Sequence, residues 1–122
     1  FKFYRPSMQR KVAVYLQDIL ESCDFVIADI SSMTLSEFSS NRILQDAVIR
    51  RFEIIGEAVK HVPTELRKKY PEATWKDAAA FRDVLTHDYP EIVIDEVYHT
   101  AFRDLPAFRA QIARVLNDLQ KQ

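Results

Sequence analysis

The chain has 122 residues and one glycine, Gly56, and that count restricts its fold more than any other. Glycine supplies the positive φ angles on which tight turns depend. Sandwiches, barrels and doubly wound sheets need many such turns, so this chain is expected to consist of long helices joined by few connections. Material for a core is present. Apolar residues make up 48%, well outside the composition of a disordered chain, and the length fits one small domain. That domain is assigned to residues 8–122. Met8 is a candidate natural start, which would leave residues 1–7, "FKFYRPS", as an added N-terminal extension.

Apolar residues recurring at three- and four-residue steps predict four main helices. The first runs from about Met8 to Ile30, with Leu16, Ile19, Cys23 and Val26 on its buried side. In the connection that follows, "SSMTLSEF", Thr34 and Glu37 have capping-box spacing and can start a helical turn. The second helix begins near Ser40 or Asn41 and reaches about His61, with Leu44, Ala47, Val48, Phe52, Ile55 and Val59 as its stripe. Gly56 lies inside it, at a cost of about 1 kcal/mol relative to alanine, so another helix is expected to pack closely there. Pro63 stops the helix, and a short helical turn from Thr64 to Leu66 precedes Pro71. The third helix starts after Thr74, an expected N-cap, and ends between His87 and Tyr89, ahead of Pro90. Trp75, Ala78, Phe81, Val84 and Leu85 give it a buried side. The fourth runs from about Ile92 to Leu119 on a stripe that includes Val97, Tyr98, Ala101, Phe102 and Leu105. Pro106 is expected to kink or divide it, with Asp104 as a cap. The predicted fold is therefore all-α, an antiparallel up-and-down four-helix bundle with short extra helical turns.

Several function classes fall away. No apolar run approaches the roughly 18 residues that span a membrane, and "FKFYRPS" lacks the apolar stretch and small-residue cleavage site of an export signal, so none is expected. One cysteine, Cys23, excludes an internal disulfide framework and suits a reducing compartment, so a cytoplasmic location is expected. His61, His87 and His99 lie on three different elements and no cysteines are paired, so neither metal nor cofactor is expected. With a net charge of −1, a phosphate-binding surface must be local or be built by two chains together.

Polar chemistry concentrates in "FRDVLTHDY", residues 81–89. Asp83 and His87 are four apart and share a helix face, so the carboxylate could fix the imidazole tautomer. Arg82 and His87 are five apart, about 140° around an ideal helix. They can converge through the reach of arginine, distortion at the helix end, or a dimer interface. From the spacing alone, a plain polar helix end with an Asp83–His87 pair is the better account. The residue types favour chemistry. Arginine binds phosphate bidentately and histidine moves protons near neutral pH. Together they suffice for metal-free RNA cleavage, in which a 2′-OH attacks the adjacent phosphate.

The pattern R-x-x-x-x-H-x-Y, here "RDVLTHDY" from Arg82 to Tyr89, resembles the signature of the HepT-like ribonuclease toxins of the HEPN superfamily. "QDAVIRRFEIIGEAVK" at 45–60 is similar to the family's second-helix signature, Trp75 stands ahead of the motif as in the family, and "DLP" at 104–106 matches a later helix. The likeness covers about residues 8–120. It implies an HEPN-like bundle, a homodimer with two motifs facing a shared cleft, and a metal-independent ribonuclease acting on RNA, with tRNA the expected class. By the same resemblance Arg82 would hold the phosphate and His87 would act as general acid or base. Asp83, where relatives commonly carry asparagine, would orient His87 or Arg82. Tyr89 would be the residue to which a partner, a minimal nucleotidyltransferase antitoxin, adds AMP units to silence the toxin, as in a type VII-like toxin–antitoxin pair. Arg50 and Arg51 are the first candidates for guiding RNA to the site. The competing expectation is a non-catalytic helical module that binds a nucleotidyltransferase or RNA through the same residues.

Overall fold

The computed structural model describes residues 11–87 and 92–121, and every described element is helical. Helix α1 spans Val12–Ile30, α2 Leu35–Ser39, α3 Arg42–Lys60, α4 Thr64–Lys69, α5 Trp75–His87, α6 Ile94–His99 and α7 Leu105–Gln120, with a π-helical segment at Thr100–Asp104 between the last two. The expected all-α bundle is thus observed. Its centre is α3, which packs against both α1 and α5, while α7 lies along α1.

Local chemistry sets several boundaries. Thr34 Oγ1 accepts from the Glu37 backbone N–H at 3.1 Å, and Glu37 Oε1 accepts from the Thr34 N–H at 2.9 Å. This complete capping box starts α2 where its spacing predicts. The bond from the Thr34 backbone N–H, and after it hydrogen bonding from the Thr34 side chain, holds the Glu37 carboxyl below its ordinary pKa. Asn41 caps α3 by accepting from Leu44 N at 3.0 Å. The turn after Pro63 is longer than expected and continues to Lys69.

The core is formed by Leu16, Ile19, Val26, Val48, Phe52, Val59 and Ile112 together with their neighbours, all buried. Trp75 is buried against Phe108 with the rings edge to face, and its indole N–H donates to the Tyr70 carbonyl at 3.0 Å. Cys23 sits fully inside. Burial pushes its thiol up to about 12, which suits a packing residue rather than a nucleophile.

Three expectations on the apolar stripes need correction. Ala47 is exposed, Val84 is 46% exposed and Phe102 is 53% exposed. Ala47 and Val84 lie at the edges of their stripes, where periodicity alone places a small or β-branched residue ambiguously. Phe102 lies in the π-helical segment. There each turn holds more residues than an α-turn, so Phe102 leaves the core side and stacks on Tyr98 at 5.7 Å. Pro106 accounts for the position of that segment. It lacks the N–H that an α-helical turn would use, and the Leu105 N–H reaches back to the Thr100 carbonyl instead. The helix therefore widens rather than breaks, and Asp104, the expected cap, makes no side-chain cap bond.

Candidate active site

Gly56 lies at the closest approach of α3 and α5. A methyl group there would overlap the Cβ of Arg82 and would lie 2.7 Å from its Cγ and 3.0 Å from the Ala78 carbonyl oxygen. The close helix neighbour expected at Gly56 is Arg82, the first residue of the motif.

Arg82 is half-buried and two carboxylates hold it. Its Nη1 donates to Asp83 Oδ1 at 3.2 Å, and its Nη2 lies 3.2 Å from Glu57 Oε2. Its Nε is buried and has no partner among the described residues. Asp83 also accepts from Lys60 Nζ at 2.6 Å. The Lys60 bond, followed by that from Arg82, holds the Asp83 carboxyl below its ordinary pKa. Of the two expected roles for Asp83, the geometry fits the one directed at Arg82. Among the described residues Asp83 pairs with Lys60 and Arg82, not with His87.

Arg82 opens onto a cleft of about 370 Å³ where α1, α3 and α5 meet. Arg50, Glu53 and Glu57 line it from α3 and His61 from just past its end, Tyr15 and Asp18 from α1, and Thr86 from α5. Thr86 Oγ1 donates to Glu53 Oε2 at 3.3 Å. His61 stacks on Tyr15 with ring centroids 4.9 Å apart, and its Nε2 lies 3.4 Å from Glu57 Oε1.

The family described as Ribonuclease HepT-like matches residues 10–115. The chain belongs to that family. Among the relatives of this HepT-like ribonuclease, a Methanocaldococcus jannaschii protein named "Gamma-glutamylcyclotransferase and putative RNase" is 37% identical over 93% of the chain, which spans 51% of that relative. A second protein from the same organism, named "Putative RNase", is 35% identical over 92% of the chain and 93% of its own length. "Probable ribonuclease HepT" of Thermococcus cleftensis is 31% identical over 88% of the chain and 98% of its own length. No solved structure matches the chain.

The HepT-like ribonuclease separates the residues that its sequence grouped. Arg50 shares the cleft with Arg82. Arg51 does not: its guanidinium lies over the Phe25 ring at 4.3 Å and Nη1 reaches Ser22 Oγ at 3.5 Å, which pins it to α1. Adjacent residues on a helix diverge by about 100°, so only one of the pair can face the cleft. His87 stands exposed at the end of α5, outside the lining of the cleft. Tyr89 lies outside the described residues. No group of three potential metal ligands is present among the described residues, and no described helix is long and apolar enough to cross a membrane. Glu57 and His61 were not singled out as site residues from sequence. The available signal was the "IGEA" stretch itself, whose glutamate follows the glycine that admits Arg82.

Proposed function

We propose that this HepT-like ribonuclease is the toxin of a type VII-like toxin–antitoxin pair and cleaves RNA, with tRNA the expected class, without a metal ion. The observation that carries the reading is the position of Arg82, seated between α3 and α5 and opening onto a cleft that also presents Arg50. A guanidinium there can bind a phosphodiester and stabilise the charge that grows on it in the transition state. The 2′-oxygen forms a bond to phosphorus and the bond to the 5′-oxygen breaks. One histidine takes the 2′-OH proton and another group returns a proton to the departing 5′-oxygen. A homodimer with two motifs on one cleft would supply both, with His87 of each chain in one role. Pairing would also bring two copies of Arg50 and Arg82 together, which answers the weak net charge of one chain.

The test is cleavage of a tRNA pool by the purified protein in the presence of a chelator. Wild type should give products, and Arg82→Ala and His87→Ala should each lose about 100-fold or more in rate while keeping the fold. Undiminished cleavage by His87→Ala would rule the mechanism out. RNA binding without products from wild type would favour the non-catalytic module.

Tyr89 is proposed as the off switch. A phosphate ester on its hydroxyl, two residues beyond His87, would compete for the phosphate site and repel RNA. With a cognate nucleotidyltransferase and ATP, the intact mass should rise in AMP steps that map to Tyr89. The same gain in Tyr89→Phe would sink the assignment.

A further inference from the structure

Arg82 needs more than its own helix to be useful. Its side chain is long and flexible, and a guanidinium that sweeps through solvent is rarely aligned with a phosphate. In this molecule α3 removes that freedom in two places. At the root of the side chain, the backbone of Gly56 lies so close that no side chain fits between it and the Arg82 Cβ and Cγ. At the tip, Glu57 Oε2 lies 3.2 Å from Nη2. The two residues are adjacent in sequence, so one short stretch of α3 fixes both ends.

The two carboxylates on Arg82 differ in what they can fix. Asp83 neighbours Arg82 on α5, moves with it, and is shared with Lys60 at the shorter distance of 2.6 Å. Glu57 belongs to the other helix and touches the guanidinium directly, so it sets the guanidinium relative to the cleft wall formed by α3 without an intermediary, whereas Lys60 acts only through Asp83. Its second oxygen lies 3.4 Å from His61 Nε2, one helical turn on, which restrains the carboxylate in turn. The arginine is not thereby used up. Each terminal nitrogen carries two hydrogens, so pairing with one carboxylate leaves a further donor on each, while the covered Nε lies against the protein.

We propose that Glu57, with Gly56, is a positioning residue for the ribonuclease reaction: it orients the Arg82 guanidinium so that its two terminal nitrogens present an end-on pair of donors to the scissile phosphate. The inference rests on Arg82 contacting that phosphate, as proposed above. Glu57 itself touches no reacting atom. Its side chain is about half exposed, so substitutions there should leave the fold intact.

The experiment compares wild type, Glu57→Gln, Glu57→Ala and Arg82→Ala on one defined RNA, with KM and kcat separated and denaturation midpoints measured alongside. Misplacing a catalytic group costs rate rather than affinity. Glu57→Ala should therefore lose about 10- to 100-fold in kcat with KM within about 3-fold of wild type and an unchanged midpoint. Glu57→Gln keeps an acceptor oxygen and should recover part of the loss. The Arg82 Nε–H resonance should sharpen in the order Ala, Gln, Glu at position 57. An unchanged or raised kcat in Glu57→Ala overturns the inference, and a raised kcat with lowered KM would mean that Glu57 competes with substrate instead. Arg82→Ala separates the two readings. If it cleaves like wild type, the phosphate role fails and this inference fails with it. If it is inactive while Glu57→Ala matches wild type, only the positioning role is lost.

Discussion

At position 56 two effects oppose each other. Alanine in place of glycine should stabilise an α-helix by about 1 kcal/mol through backbone entropy. The added methyl group would, however, overlap the Cβ of Arg82 and press on the Ala78 carbonyl oxygen. These atoms belong to the base of a side chain and to a helix backbone, so neither can swing away, and overpacking of this kind costs about 1–3 kcal/mol. The clash should win. Gly56→Ala is expected to lower the unfolding free energy by about 1 kcal/mol net, and, because the displaced group is Arg82, to reduce RNA cleavage by a larger factor than the stability loss explains. Denaturant unfolding and cleavage rates on the same preparation check both parts. A variant as stable and active as wild type would mean that α5 can shift without consequence.

Lys60 and Asp83 join the last turn of α3 to the middle of α5. Their contact gives the helix pair a defined response to acid. The Lys60 hydrogen bond, and after it that of Arg82, lowers the Asp83 pKa in the folded protein below its unfolded value. The stabilisation is then fully present above the ordinary carboxylate range near pH 4 and is lost as pH falls through the lowered folded value. Lys60→Ala should raise the Asp83 pKa toward the ordinary value, though not fully, since Arg82 remains. A titration followed by the Asp83 carboxyl carbon resonance reads this directly, and no upward movement in Lys60→Ala would remove Lys60 as the main cause. The starts of α2 and α3 were legible in the sequence, because caps are local. Thr34 with Glu37 and the N-terminal Asn41 act within three residues of themselves. The π-helical segment was not legible. Pro106 signals that an α-helical bond is missing, but whether the chain breaks, kinks or widens depends on how α6 and α7 each pack.

Over the whole molecule, the all-α class, the order of the main helices and the buried residues at the centre of each stripe followed from one glycine and a regular apolar period. Residues at the edges of stripes, such as Ala47 and Val84, did not, because their exposure depends on how neighbouring helices are rotated. The candidate site divides in the same way. Arg82 stands out as a candidate from residue chemistry and resemblance, and a close neighbour at Gly56 from the cost of an interior glycine. Their being one contact was hidden, since they lie 26 positions apart in sequence. Glu57 was hidden for the same reason: nothing local marks a surface glutamate whose partner arrives from another helix. Arg50 and Arg51 were indistinguishable in a linear reading, and only the packing of Arg51 against Phe25 divides them.

The contact between positions 56 and 82 also offers a way to sort chains of this fold from sequence alone. The two sites share one volume, so they cannot vary independently. A related chain that keeps arginine in the motif but carries a bulky side chain at the glycine position must have moved its third long helix outward, and its arginine with it. Such a chain is expected to bind partners without cutting RNA. A two-letter check, glycine against arginine, would separate retired members of the family from working ones before any of them is purified.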